Sequence, residues 1–222
     1  MVRNIVITGC NRGIGLELAR LYRQQNDHVI GLVRQSSSEL LDLGVEVVEG
    51  FDVCSPLSNL AELTDSLKEV DMLINNAGIF EQESWPFKEE DLEAIRRQIE
   101  VNTLGPLKVA SVLAPAMKKG SLMAFTSSRM GSISDNTGGS YYGYRMSKAA
   151  LNMAVKGLAV DLKPQGIWSV ALHPGYVKTR MTGFQGEIET PESALGLFKI
   201  LENMNEQKSG TFWHSNAEEL AW

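Results

Sequence analysis

Short runs of β-branched and other apolar residues alternate along the chain with longer stretches in which apolar residues recur three and four apart. The runs at 4–8, 28–33, 45–48, 72–74, 122–126, 168–172 and 211–214 predict seven strands, and the stretches 14–25, 56–68, 92–117, 144–162 and 191–203 predict helices between them. Several strand runs are apolar throughout instead of alternating, as strands covered on both faces should be. The alternation of strand and helix predicts βαβ units and so an α/β fold, a parallel seven-stranded sheet with helices on both faces. The sequence has no internal repeat, no charge block and no low-complexity linker beyond a small polar cluster at 35–38, so residues 1–222 are expected to form a single domain.

At 222 residues and 43% hydrophobic content, the chain can bury one sizeable core. Its formal net charge of -6 repels polyanions and offers no basic footprint, which argues against nucleic acid as a partner. The opening MVRNIVITGC runs straight into an apolar stretch that stops at a glycine, without the h-region and cleavage site of a signal peptide. No segment approaches the roughly 18 apolar residues that span a bilayer. A cytoplasmic protein with no membrane partner is therefore expected. Cys10 and Cys54 read as small hydrophobes, and His28, His173 and His214 lack ligand spacing, so no metal is expected.

After the first strand the chain reads TGCNRGIG, residues 8–15, and passes directly into a helical pattern. Gly9 can turn the chain at the strand end, Gly13 lets backbone approach a phosphate, and Gly15 lets the helix pack close to the sheet. The helix N-terminus then presents free N–H groups and a positive dipole end to a pyrophosphate. A glycine-rich turn alone is weak support, since any tight turn enriches glycine; its place as the first βα turn adds weight.

Further motifs follow in order: NNAG at 75–78, Asn102 in VN, Ser128 after the fifth strand run, YxxxK from Tyr144 to Lys148, and PG at Pro174 and Gly175. Together with the TGxxxGxG spacing, this series resembles the short-chain dehydrogenase/reductase family over nearly the whole chain, and most of all its sniffer-type carbonyl reductases and C-factor-like members. The resemblance implies a Rossmann-type, doubly wound fold and NADPH-dependent reduction of a small-molecule carbonyl substrate. It also implies catalytic roles for Asn102, Ser128, Tyr144 and Lys148. Cofactor contacts are implied for Gly9, Asn11, Arg12, Gly13, Ile14, Gly15, Arg34, Asp52, Val53, Asn76, Ala77, Gly78, Tyr144, Lys148, Pro174, Gly175, Val177 and Thr179. Asp52 and Val53 would meet the adenine, 76–78 the adenosine ribose, and the residues from Pro174 to Thr179 the nicotinamide end. Family members pair through helices matching 92–117 and 144–162, so a homodimer or homotetramer is expected.

Members that use NAD commonly close the second strand with a carboxylate that would repel a 2′-phosphate. Here the strand ends VIGLVRQSS, with Arg34 just past it and no acid before Glu39, and Arg12 stands in the glycine loop. Two guanidiniums can clamp a phosphate with forked hydrogen bonds, which favours NADPH over NADH unless both are ordinary surface arginines.

Tyr144 and Lys148, four apart, share one helix face. A phenol with a pKa near 10 is a poor acid at neutral pH, and an adjacent ammonium is expected to lower it. Tyrosine and lysine at this spacing also occur on many exposed helices. Tyr141, four before Arg145, is a rival, but arginine relays no proton. Ser127 rivals Ser128, separated only by the offset to Gly131. The resemblance gives Lys148 the nicotinamide ribose and a water near Asn102, and Ser128 the carbonyl oxygen. A short flap around 180–190 predicts an open pocket walled by candidates Phe80, Trp85, Met130, Tyr141 and Tyr176, suited to apolar aldehydes or ketones. The alternative is an NADP(H)-binding sensor or signalling protein with little turnover.

Overall fold

The computed structural model describes residues 2–222. Its strands are β1 (Asn4–Thr8), β2 (His28–Leu32), β3 (Glu46–Val48), β4 (Val70–Asn75), β5 (Met117–Thr126), β6 (Trp168–His173) and β7 (Thr211–His214). They form one parallel sheet in the order β3-β2-β1-β4-β5-β6-β7. Strand order reverses between β1 and β4, whose carboxyl ends open the crevice in which ligands of such sheets bind.

The helices are α1 (Gly13–Gln24), α2 (Ser38–Asp42), α3 (Leu57–Thr64), α4 (Glu89–Ile99), α5 (Gly105–Leu113), α6 (Tyr142–Asp161) and α7 (Thr190–Glu202). Strand periodicity divides the core between the two faces of the sheet. Ile5, Ile7, Met72, Ile74, Leu122, Ala124, Val170 and Leu172 pack with α1 and α7 through Leu18, Tyr22, Ala194 and Leu197. Val6, Leu73, Met123, Phe125 and Ala171 face the other way, onto Leu60, Val109, Leu113, Leu151 and Val155 of α3, α5 and α6. Each fully buried side chain of this size contributes about 1.5–3 kcal/mol, which is why the central strands are apolar on both sides.

Three expectations are corrected. The stretch 92–117 is not one helix: a π turn at Glu100–Leu104 separates α4 from α5, and a 3₁₀ turn at Ala114–Ala116 ends α5 before Met117 enters β5. Pro106 has no N–H to offer the carbonyl of Asn102, so the ladder is broken at that turn, and Gly105 instead donates to the carbonyl of Glu100. The cluster at 35–38 is not a linker; Ser37 caps α2 by accepting the Leu40 N–H at 3.2 Å. The helix read at 56–68 stops at Thr64, whose hydroxyl bonds back to the Leu60 carbonyl at 2.8 Å.

Past β7 the chain doubles back on it. Leu220 N–H donates to Phe212 O at 2.7 Å, and the Trp222 ring stacks on Phe212 with centroids 5.7 Å apart. Among the described residues, no helix is long and apolar enough to cross a membrane.

Candidate active site

The glycine loop is built as its composition requires. Gly9 and Gly13 hold φ of +65° and +58°, where side chains are disfavoured. A methyl on Gly15 would lie 2.5 Å from Asn76 Nδ2 and 2.8 Å from Gly9 O, so only hydrogen fits. Arg12 precedes α1 without capping it by a side chain, so the first N–H groups of the helix point outward with no protein acceptor of that kind. Ile14 packs partly into the core beneath.

Two loops are joined at this point. The Thr8 hydroxyl accepts the N–H groups of Asn76 and Ala77 at 3.0 and 3.1 Å, and Asn76 Nδ2 donates to Gly9 O at 3.1 Å. The Asn76 amide nitrogen thus braces the loop. Asn11 reaches across to Gln35 O at 3.0 Å. Arg12 and Arg34 are exposed, and neither has an acidic partner among the described residues. Asp52 accepts the Cys54 N–H, and Val53 is buried against Gly105, where a methyl would approach to 2.8 Å.

The second set of residues converges at the carboxyl ends of β4 and β5. Tyr144, 9% exposed, and Lys148, 4% exposed, lie on α6, with Lys148 Nζ 5.7 Å from the Tyr144 ring centroid. Ser128 faces the phenol and its oxygen accepts the Met130 N–H at 3.2 Å. Ser127 is separated from this group: its hydroxyl is buried on Asn152 Oδ1 at 2.6 Å. Gly131 lets the turn carrying Ser128 press on α6, since a methyl would lie 2.7 Å from the Lys148 carbonyl carbon.

The electrostatics differ from expectation. Burial pushes the Tyr144 phenol up to about 12, opposed in part by Ser128, and Lys148 does not lower it. Burial also pushes Lys148 down to about 7, and its Nζ donates to Thr126 O at 2.8 Å. A low-dielectric site disfavours both charges, and one lysine already hydrogen-bonded elsewhere cannot outweigh it.

Asn102 sits in the π turn and is fully buried. Its Oδ1 accepts the Ile79 N–H at 2.8 Å, and its Nδ2 donates to Ile79 O at 2.9 Å and to Ser147 Oγ at 3.1 Å. A methyl on Gly78 would lie 3.2 Å from Asn102 Oδ1 and 3.7 Å from Lys148 Nζ, so these groups surround one small space.

At the other rim, Ser193 and Ser215 donate to Pro174 O at 2.6 and 3.0 Å, Gly175 turns with φ +89°, and Val177 is buried. Thr179 stands across from the glycine loop; a methyl on Gly13 would lie 3.8 Å from its Cγ2. The flap is short and folded on itself, Val177 bridging Ile188 and Lys178 N–H donating to Ile188 O at 2.9 Å. Of the expected wall, Phe80 lies against Tyr144 and Tyr141 against Phe80, whereas Trp85 is 71% exposed and packs on Phe87 and Tyr142.

Sequence reading passed over Thr8, Thr103, Ser147 and Glu83, which hold the site. Ser147 donates to Tyr144 O at 2.8 Å, Thr103 donates to Ser147 O at 2.7 Å, and the Glu83 carboxylate accepts the Gly143 N–H at the start of α6. Thr8 and Ser147 stand inside the motifs quoted above; Glu83 carries no local signal.

Comparison with known proteins shows the family and fold. A family model described as short chain dehydrogenase matches residues 3–189. C-signal of Myxococcus xanthus is 42% identical over 156 residues, which cover 69% of this chain and 93% of that protein. The carbonyl reductase Sniffer of D. melanogaster superimposes with a TM-score of 0.90 at 31% identity, covering 100% of both chains. An NADPH-bound carbonyl reductase from chicken fatty liver gives 0.88 at 28% identity, covering 100% of this chain and 99% of the other.

Proposed function

The chain belongs to the short-chain dehydrogenase family, and we propose that it is a cytoplasmic, NADPH-dependent reductase of apolar aldehydes or ketones in which Tyr144 is the proton donor. The observation that carries this reading is the convergence of Ser128, Tyr144 and Lys148 within one buried group at the strand ends, beside a glycine loop whose Gly9 and Gly15 are packed too tightly for a side chain.

The residues present fit a phosphorylated dinucleotide. Gly13 leaves space for backbone approach to a pyrophosphate at the α1 N-terminus, Gly9 and Gly15 let the loop and helix pack close, and Arg12 and Arg34, exposed and without acidic partners among the described residues, suit a 2′-phosphate. Asn11, Ile14, Asp52, Val53, Ala77 and Gly78 would line the adenosine half, with Asn76 as their brace. Pro174, Gly175, Val177 and Thr179 would border the nicotinamide end. When bound, the dinucleotide supplies a hydride to the carbonyl carbon.

The chain's own groups manage the oxygen. Ser128 donates a hydrogen bond to the carbonyl oxygen as negative charge grows there. A phenol held at about 12 keeps its proton through the physiological range, so Tyr144 is charged with the proton it must give. An alkoxide is close in basicity to hydroxide and a far stronger base than a phenolate, so the transfer runs downhill. Burial makes Lys148 a readier proton donor than an exposed lysine, so it can restore the proton through the space it shares with Asn102 and Gly78. The pairing of two copies through α4–α5 and α6 completes the reading: Leu104, Met146, Met153 and Val160 leave an apolar stripe exposed there.

The test is purified protein incubated with NADPH and a panel of carbonyl compounds, followed by cofactor oxidation. Turnover that Tyr144→Phe removes is expected. The similarity to C-signal favours one other reading, a dinucleotide-binding signalling protein. NADPH binding without turnover, unchanged by Tyr144→Phe, would establish that reading instead.

A further inference from the structure

Three consecutive residues immediately before α6 are left-handed: Gly139 at φ +60°, Ser140 at +56° and Tyr141 at +53°. A single residue of this kind is common in turns, but two successive residues with Cβ atoms are held so only by surrounding contacts. Asn136 Oδ1 accepts the Gly139 N–H at 3.0 Å, and the carbonyls of the turn are gripped by Arg145. Arg145 Nε donates to Gly139 O at 3.0 Å and to Ser140 O at 3.1 Å, and its Nη1 reaches Met130 O at 3.4 Å. The same residue's N–H takes the Tyr141 carbonyl at 2.9 Å as a first bond of α6. Arginine suits this task, since its planar fork can serve several carbonyls together and stays charged at any working pH.

The turn determines where one ring lies. Tyr141 is half-buried with its centroid 5.5 Å from Phe80, and Phe80 stands edge-on to Tyr144 at 5.2 Å and 80°. Phe80 and Tyr141 are both half-buried, so each ring keeps some open surface, with Phe80 between Tyr141 and the phenol. A carbonyl placed for protonation by Tyr144 would carry its substituent on that side against these two rings. Flat aromatic substituents gain there from offset or edge contacts that a flexible alkyl chain does not make.

We propose that Arg145 is a positioning residue of the site: it clamps the left-handed turn 139–141, and so holds Tyr141 against Phe80 as a wall that selects aromatic over aliphatic carbonyls. This rests on the reductase reading above. Arg145 touches neither the phenol nor Lys148; it acts only through the turn.

The experiment compares kcat and KM for benzaldehyde and hexanal, with NADPH, in wild type and four variants. Arg145→Gln should lower kcat/KM for benzaldehyde about fivefold, the scale of one lost aromatic contact, mainly through KM, and leave hexanal within about twofold. Adding Ser140→Gly to Arg145→Gln, which makes the positive φ cheap, should recover most of that loss. Arg145→Lys, a single point donor in place of a fork, should fall between. Tyr141→Leu keeps the clamp but removes the ring; it should show the same benzaldehyde-selective loss even if the arginine variants fold poorly. Equal losses on both aldehydes, a loss confined to kcat, or no recovery with glycine would overturn the proposal. A wild type that oxidises NADPH with neither aldehyde nor any other carbonyl sinks the reductase reading itself.

Discussion

Lys148 Nζ donates to the main-chain oxygen of Thr126 at 2.8 Å, tying the middle of the site on α6 to the last residue of β5. The amine is 4% exposed and its pKa is pushed down to about 7 by burial alone. One carbonyl does not compensate a buried ammonium for its lost water.

Stability should therefore rise with pH above neutrality. The folded pKa of about 7 lies below the unfolded value of about 10.4, so between them the unfolded chain binds more protons. The penalty is full below pH 7 and fades as pH climbs through this window. Lys148→Met should stabilise the fold at about pH 6 by an amount on the order of a few kcal/mol, seen as a higher melting temperature, and the gap to wild type should close toward about pH 10. Melting curves across that range decide it; a gap independent of pH would refute the assignment.

The two adjacent serines should separate cleanly. Ser128→Ala removes a donor aimed at the developing oxyanion and should cost about a hundredfold in kcat, with about 1 kcal/mol of stability lost with its bond to the Met130 N–H. Ser127→Ala breaks the buried bond to Asn152 and should cost about 1–3 kcal/mol of stability while sparing kcat. Steady-state kinetics and denaturant unfolding on both variants provide the check, and a reversed pattern would make Ser127 the substrate ligand.

Arg12 and Arg34 should act on one cofactor only. Replacing either by alanine should raise the KM for NADPH about tenfold, the scale of a charge-assisted hydrogen bond, and leave that for NADH nearly unchanged. Titration with both dinucleotides measures it; equal effects would reduce the two arginines to surface charge.

Gly131→Ala should be damaging out of proportion to its size. The added methyl would lie 2.7 Å from main chain of α6 at Lys148, with no flexible side chain to yield. We expect a loss of about 1–3 kcal/mol, together with reduced activity as the Ser128 turn is displaced. Thermal unfolding with kinetics on the same preparation tests this; wild-type values in both would mean that the turn has slack.

Much of this architecture is legible in the sequence because its signals are local. The apolar runs gave β1 and β7 to the residue, and the glycine loop named its own turn. The π turn at 100–104 escaped notice, since its residues keep helical periodicity on either side; Pro106 was the available clue. That the Asn76 amide nitrogen braces Gly9 is legible only in the fold. The acidity of Tyr144 was misjudged for a similar reason. Spacing on a helix places a lysine beside it, but not the depth of burial that raises the one group and lowers the other.

The joint between Thr8, Asn76 and Ala77 bears on how a dinucleotide would be received. With the two strand-end loops already stitched together, the cradle is at its binding shape before anything arrives, so little chain entropy remains to be lost on association. Calorimetry on a Thr8→Val variant would register that difference as a larger unfavourable entropy, with the contacts to phosphate left the same.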